Sequence, residues 1–157
     1  MWKSFLFFQF QAFLQAFFSF PFAAIASNSM PFPMFTEVLG LIIFILAAAG
    51  ETIADAQLKR FKSDSKNCGK ICSTGLWRYS RHPNYFFEWV IWCGVALMAI
   101  ESPMGWVALA CPVLMLFLLL FVTGVAPSEA QSLKSRGEAY RIYQRATSKF
   151  VPWFPKG

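Results

Sequence analysis

The largest concentration of chemically capable side chains lies in residues 75–88, with the sequence GLWRYSRHPNYFFE. It contains two arginines, the chain's single histidine, two tyrosines, an asparagine and a glutamate. The guanidinium groups of Arg78 and Arg81 suit charge-assisted hydrogen bonds to phosphate oxygens. Asn84 can bond a carboxamide or a ribose, and a helix beginning near Pro83 would point free N–H groups at an anion. The segment therefore predicts a site for a phosphorylated or otherwise anionic cofactor.

Glu88 enters an apolar stretch one helical turn after Asn84. An ionised carboxylate in hydrocarbon costs several kcal/mol, so Glu88 is expected to face protein, cofactor or water. Asn84 and Trp92, four residues to either side, would share its inward face. An ion pair with Arg81 is the alternative, purely structural role.

A second acidic pair, Glu51 and Asp55, is spaced by one helical turn at the end of another apolar stretch. Two roles remain open for this pair. The carboxylates can bond nearby basic side chains such as Arg78, or they can accept hydrogen bonds from the ribose or adenine of a cofactor.

Cys68 and Cys72 precede His82, but their spacing fits no common zinc pattern. A disulfide is not expected on a reducing cytoplasmic side. The sequence also lacks the phosphate-loop, GxSxG and HExxH motifs. We therefore predict no metal site. Because these motifs are absent, the sequence offers no catalytic residue of those types.

The elements that must position these side chains are membrane helices. Of the 157 residues, 57% are hydrophobic and only 14% are charged, whereas soluble domains carry about 25% charged residues. This composition excludes a disordered chain and disfavours a soluble enzyme or a secreted disulfide scaffold. Four stretches approach the roughly 20 apolar residues that span a bilayer. They are residues 5–26, 34–54, 86–100 and 104–126.

The predicted fold is thus an all-α, polytopic membrane helix bundle with about four transmembrane helices, forming one domain over residues 1–157. The first stretch also resembles a signal peptide, and its removal after Ala26 would leave three spans. A cytoplasmic amphipathic helix is expected from Ser128 to about Thr147. Its predicted membrane-facing residues are Leu133, Tyr140 and Tyr143, and its predicted water-facing residues are Arg136, Arg141 and Arg145.

Charge predicts the orientation in the membrane. The 14 lysines and arginines fall at Lys3, between residues 55 and 85, and after residue 126. With four spans they all lie on one side, which the positive-inside rule makes the cytoplasm. We expect an integral protein of a bacterial inner membrane, with the basic loops and both termini cytoplasmic. The net charge of +6 then reflects topology and contact with membrane lipids, and nucleic-acid binding is not expected.

Several motifs resemble the C-terminal region of the steroid 5-alpha-reductase superfamily, and most closely its uncharacterised bacterial branch. The matching segments are ADAQLKRFK at 54–62, GLWRYSRHPNYF at 75–86, Glu88, Trp92–Gly94, RGEAYRIY at 136–143 and Val151–Pro152. The resemblance covers residues 38–154 and leaves 1–37 as a divergent N-terminal span.

The resemblance implies a membrane reductase that uses NADPH to reduce an activated C=C bond of a steroid- or isoprenoid-like lipid. It assigns no catalytic residue within this chain. The cofactor-binding residues that it implies are Asp55, Lys62, Arg78, Tyr79, Arg81, His82, Asn84, Tyr85, Glu88, Tyr140 and Tyr143.

Three departures from that family bear on the interpretation. Relatives carry roughly another hundred residues ahead of this region, comparable to a small domain, and residues 1–37 offer no counterpart of their catalytic Glu and Tyr. Phe87 stands where relatives usually have glycine, so its ring is expected to crowd the cofactor. Residues 126–128 read Ala-Pro-Ser, unlike the usual Gly-Ile-Pro. The chain is therefore either a minimal enzyme or a cofactor-binding half that needs a partner subunit or a missing N-terminal segment.

Two alternatives stay open. The chain also resembles isoprenylcysteine carboxyl methyltransferase, which shares Arg-His-Pro-x-Tyr at 81–85, the later glutamate and the closing Tyr-x-x-Tyr, and which implies S-adenosylmethionine as the cofactor. The second alternative is a truncated, non-catalytic membrane protein.

Overall fold

The computed structural model describes residues 2–29, 31 and 33–156, with Lys3 described by its backbone only. Within these residues the chain is helical, which confirms the all-α class, and the nearest feature to a strand is an isolated bridge between Ser80 and Ser148. The α-helices among the described residues are α1 (Trp2–Ala26), α2 (Phe35–Ser63), α3 (Pro83–Ala99), α4 (Ala110–Phe117) and α5 (Val125–Ala146). Short 3₁₀ turns lie at Ser65–Asn67, Gly75–Arg78 and Gly105–Leu109, and a π turn at Leu118–Val122.

Three described helical stretches are long and apolar enough to cross a membrane: Ser4–Ala26, Phe35–Ser63 and Gly105–Ala146. In the third stretch, residues 105–122 carry no charge and form the apolar part, while α5 carries six charged residues and lies outside it. The third predicted stretch, residues 86–100, forms most of α3, which has 17 residues. At 1.5 Å per residue α3 is about 25 Å long, slightly short of a hydrocarbon core of about 30 Å.

Helices α2 and α3 make the closest contact in the bundle. A Cβ atom on Gly40 would lie 2.6 Å from the carbonyl oxygen of Gly94, and one on Gly94 would lie 2.8 Å from that of Gly40. Glycine at both positions lets the two backbones touch, as is common between membrane helices. The contact holds the second turn of α2 against the C-terminal half of α3.

Phe87 packs against α2. A Cβ atom on Gly50 would lie 2.6–2.7 Å from three atoms of the Phe87 ring, so the ring occupies the space that a larger residue would fill. Phe87 is not among the residues that line the cavity described below. The ring therefore lies against α2, in the space that Gly50 leaves, and the crowding of a cofactor by Phe87 stays a prediction.

Helix α5 is broken at Gly137, whose φ of 52° and ψ of −124° are not helical. Glycine tolerates this positive φ because it has no Cβ atom. Glu129 accepts hydrogen bonds from Tyr140 Oη at 3.4 Å and from Gln144 Nε2 at 3.0 Å. Residues 129 and 144 would stand about 22 Å apart in a straight helix. The two halves of α5, residues 125–136 and 138–146, therefore fold back on each other, and the prediction of one continuous amphipathic helix is wrong.

The fold-back also changes which residues of α5 face inward. Tyr140 and Tyr143 are buried and do not face the membrane as expected, because their hydroxyl groups find hydrogen-bond partners inside the fold. Arg136 is half-buried and does not simply face water.

Candidate functional site

A cavity of about 610 Å³ lies between the end of α2, the loop that leads to α3, the start of α3 and both halves of α5. Its volume falls in the range of roughly 300–1,000 Å³ that is usual for ligand sites. Seven of the eleven residues predicted to bind a cofactor line it. They are Lys62, Arg81, His82, Asn84, Tyr85, Tyr140 and Tyr143.

The loop before α3 is held in place by long-range hydrogen bonds. The indole Nε1 of Trp77 donates to the carbonyl oxygen of Ala54 on α2 at 2.9 Å. The amide of Leu76 donates to Gln57 Oε1 at 2.9 Å. The hydroxyl of Tyr143 donates to the carbonyl oxygen of Trp77. These bonds join α2, the loop and the second half of α5 into one wall of the cavity.

The remaining four predicted residues, Asp55, Arg78, Tyr79 and Glu88, do not line the cavity. Arg78 is exposed, and Tyr79 meets the ring of Phe154 edge-on at 6.2 Å. Asp55 stands directly behind the cavity, where it accepts a hydrogen bond from Asn84 Nδ2 at 3.1 Å.

Glu88 is half-buried and faces Glu51 and Asp55 of α2. Trp92 packs on α1, with its ring centroid 4.5 Å from that of Phe18. The predicted face shared by Asn84, Glu88 and Trp92 is thus divided in the structure, since only Asn84 reaches the cavity. The alternative pairing of Glu88 with Arg81 is not formed either, because Arg81 has another partner.

That partner is Glu129 of α5. Arg81 Nε donates to Glu129 Oε1 at 2.6 Å, and Arg81 Nη1 donates to the carbonyl oxygens of Gln144 and Thr147, both at 2.8 Å. The Arg81 side chain is only 8% exposed. Arg81 therefore fixes both halves of α5 to the start of α3, a structural role in which its partner is Glu129 and not Glu88.

Glu129 is the central acceptor of this cluster and was not among the predicted site residues. Besides Arg81, Tyr140 and Gln144, it faces His82, whose Nε2 lies 3.3 Å from its Oε1. Burial alone would raise the pKa of the Glu129 carboxyl, but the hydrogen bonds from His82 and Arg81 and the charge of Arg81 outweigh it and lower the pKa to about 2. One signal in the sequence pointed to it: Glu129 is the only acidic residue between Glu101 and Glu138.

Tyr140 shows the opposite shift. Burial, together with the negative charge of Glu129, raises the pKa of its phenol to about 12. The Tyr140 hydroxyl therefore stays protonated and acts as a hydrogen-bond donor at neutral pH.

Asn84 lines the cavity, and its amide carries a buried acceptor without a partner in the described part of the chain. Its Oδ1 is buried and has no hydrogen-bond partner among the described residues. Asp55 fixes the orientation of the amide, because a carboxylate can only accept and so selects the NH₂ side. A buried carbonyl without a partner costs about 1–3 kcal/mol, and a ligand N–H donor would remove that cost if the Asn84 side chain shifted enough to uncover the atom.

His82 and Tyr85 form a flat aromatic part of the wall. Their rings stack with centroids 5.6 Å apart and planes 9° apart. The Tyr85 hydroxyl lies 3.4 Å from Ser128 Oγ at the start of α5, which ties α3 to α5 on this side of the cavity.

The charged groups that line the cavity are all cationic: Lys62, Arg81 and Arg136. Neither Asp nor Glu is among its described lining residues. The charge of Arg81 is balanced by Glu129, whereas Lys62 and Arg136 have no ion pair within the described part of the chain. The cavity is therefore complementary to an anionic ligand.

Residues 1–147 match the model of a protein family described as of unknown function, DUF1295. The chain belongs to this family. Over 101 residues it is 32% identical to an uncharacterized protein of Schizosaccharomyces pombe. The aligned part makes up 59% of this chain and 27% of that relative, so the chain spans only about a quarter of the relative's length. No solved structure matches.

Proposed function

We propose that this chain binds NADPH at the surface of a membrane and takes part in reducing an activated C=C bond of a steroid- or isoprenoid-like lipid. The observation that carries the proposal is a cavity whose charged lining is cationic and whose lining includes Asn84, a residue with a buried Oδ1 that has no hydrogen-bond partner among the described residues. A nicotinamide carboxamide offers the missing N–H donor, and the phosphates of the dinucleotide offer the negative charge. The motif resemblance to steroid 5-alpha-reductases supports the same assignment.

Different residues of the cavity would contact different parts of NADPH. Asn84 would accept a hydrogen bond from the carboxamide, with Asp55 holding its amide in register. Lys62 and Arg136 would bind a phosphate group of the cofactor, and the stacked rings of His82 and Tyr85 would provide a flat surface. When bound, NADPH supplies the hydride.

S-adenosylmethionine is the second candidate. Its sulfonium carries a positive charge, which is stabilised by a nearby carboxylate. The charged residues that line the cavity in the described part of the chain are instead cationic. The charge of the cavity lining therefore favours the dinucleotide over the methyl donor. A truncated, non-catalytic protein is the remaining alternative.

We also propose that α3 is the fourth crossing helix and that the basic loops and both termini face the cytoplasm of a bacterial inner membrane. The asymmetric distribution of lysine and arginine supports this orientation. A reporter that is active only in the cytoplasm, fused after Gly157, should be active. Activity of a periplasm-specific reporter at the same position would contradict the orientation.

The cofactor assignment is tested by measuring binding to the full chain in lipid nanodiscs. NADPH at about one hundred times its Kd should stabilise the protein by about 2.7 kcal/mol. Asn84→Ala should weaken NADPH binding by about 0.5–1.5 kcal/mol, the usual net value of a neutral hydrogen bond. The control is Asn67→Ala, because Asn67 bonds the carbonyl oxygen of Phe61 and lies outside the cavity lining.

The competing readings give different results in the same assay. Stabilisation by S-adenosylmethionine without any effect of NADPH would favour the methyltransferase. No effect of either compound would favour the non-catalytic protein. Equal NADPH affinities of the Asn84 and Asn67 variants would remove the role given to Asn84.

A further inference from the structure

We propose that Lys62 and Arg136 form a subsite for a phosphomonoester, which on the proposed function is the 2′-phosphate that distinguishes NADPH from NADH. This inference rests on the proposed function and adds a specificity to it. Lys62 was expected to contact the cofactor in an unspecified way, and Arg136 was expected to face water.

Lys62 and Arg136 lie on two different walls of the cavity, formed by α2 and by the first half of α5. Each wall contacts the start of α3, and the two residues lie beyond these contacts. On α2, Asp55 bonds Asn84, and Lys62 follows seven residues later, a rise of about 10 Å. On α5, Ser128 contacts Tyr85, and Arg136 follows eight residues later, a rise of about 12 Å. Lys62 and Arg136 are thus displaced from these contacts with the start of α3 by about two helical turns along α2 and α5, so that the carboxamide acceptor and the two cations would contact different parts of a dinucleotide.

The loop after α2 joins the far ends of the walls. Arg136 Nε donates to the carbonyl oxygen of Lys70 at 3.2 Å. Ile71 and Cys72, the next residues of that loop, line the same cavity as Lys62 and Arg136. The turn at Gly137 ends the first half of α5 directly after Arg136, so Arg136 stands at the tip of the fold-back and next to the loop.

The hydrogen-bonding state of Arg136 matches an anion site. Its Nε donates a hydrogen bond to the loop, whereas its Nη groups form no hydrogen bond within the described residues. A guanidinium held through Nε presents the Nη N–H groups to a phosphate. By contrast, Arg141 and Arg145 on the second half of α5 pair with Glu138 at 3.6 Å and 2.6 Å. Lys62 adds a second, unpaired positive charge.

The experiment compares NADPH with NADH on the full chain in nanodiscs by isothermal titration calorimetry. We expect the parent protein to bind NADPH at least tenfold more tightly than NADH. Arg136→Gln and Lys62→Gln should each weaken NADPH binding at least fivefold and change NADH binding less than twofold. Arg136→Lys, which keeps the charge, should lose less NADPH affinity than Arg136→Gln.

Matched controls come from the same helices. Arg141→Gln removes an exposed arginine of α5, and Lys59→Gln removes an exposed lysine of α2; neither lines the cavity. Both should leave the NADPH-to-NADH ratio unchanged. Added salt should also weaken NADPH binding less in Arg136→Gln than in the parent, because one charge–charge attraction is gone.

The outcomes separate the two proposals. Equal affinity of the parent for NADPH and NADH, or equal losses for both in Arg136→Gln, would overturn the subsite and leave the proposed function standing. Absence of binding of either dinucleotide to a folded parent would overturn the proposed function and the subsite with it.

Discussion

Replacing Glu129 with alanine is expected to destabilise the protein by about 3–5 kcal/mol, the usual cost of leaving a buried charge without its partner. The charge left behind is that of Arg81, whose side chain is 8% exposed and whose Nε lies 2.6 Å from Glu129. The same change removes the acceptor of Tyr140 and Gln144. Unfolding in mixed micelles of increasing SDS content, followed by tryptophan fluorescence, measures the loss.

The control for this prediction is Glu138→Ala on the same helix. Glu138 pairs with Arg141 and Arg145, but its side chain is 61% exposed and those of its partners are 68% and 71% exposed. Exposed ion pairs contribute about 0–1 kcal/mol, so this variant should remain close to the parent. Equal losses in the two variants would mean that Glu129 does not hold a buried charge.

Acid should reproduce the loss at Glu129. Because the folded-state pKa of Glu129 is about 2, below its ordinary value, the stabilisation it gives is fully present above about pH 4.5 and is lost as the pH falls toward 2. The difference corresponds to about 3 kcal/mol. The neutral variant Glu129→Gln should lack this component, so its stability should fall less between about pH 5 and pH 3. Parallel pH profiles of parent and variant would contradict the assignment.

Substitutions at two neighbouring positions in the turn between α3 and α4 should change the stability of the protein in opposite directions. Gly105→Ala should destabilise the protein by about 3 kcal/mol, the upper end of the usual overpacking range, because the obstacle is backbone. A Cβ atom there would overlap the carbonyl oxygen of Ala99, and Gly105 N already donates to Ser102 O at 2.8 Å. The turn would have to open, which separates the ends of the two helices.

Met104 provides the opposite change. It has a φ of 57°, in the left-handed region, and its side chain is 63% exposed. A non-glycine residue pays about 1–2 kcal/mol for that conformation, while glycine loses more backbone entropy on folding. Met104→Gly should therefore stabilise the protein slightly, by about 0.5–1 kcal/mol. Destabilisation by Met104→Gly together with tolerance of Gly105→Ala would show that the turn has a different conformation.

Local sequence determined the class of the protein and identified seven of the residues that line the cavity. Apolar runs and sparse charge dictate membrane-length helices, because a bilayer accepts only segments whose backbone groups bond internally. The segment from Arg81 to Tyr85 was identified from residue types alone, since arginine, histidine and asparagine next to a helix start suit few purely structural roles. The sequence pattern could not show whether Arg81 binds a cofactor or pairs with a carboxylate of the protein. In the structure it pairs with Glu129.

Only the tertiary structure decided how α5 contributes. A helical repeat is a local property, and it predicted one straight helix from Ser128 to about Thr147 because nothing nearby marks Gly137 as a point of reversal. The reversal brings Glu129 to Tyr140 and Gln144 and, across 48 positions in the sequence, to Arg81. It also moves Arg136 from the predicted water-facing side to the tip of a cavity wall. Hydrogen bonds between groups so far apart in the chain depend on how the helices pack. The spacing of residues within one helix does not predict that packing.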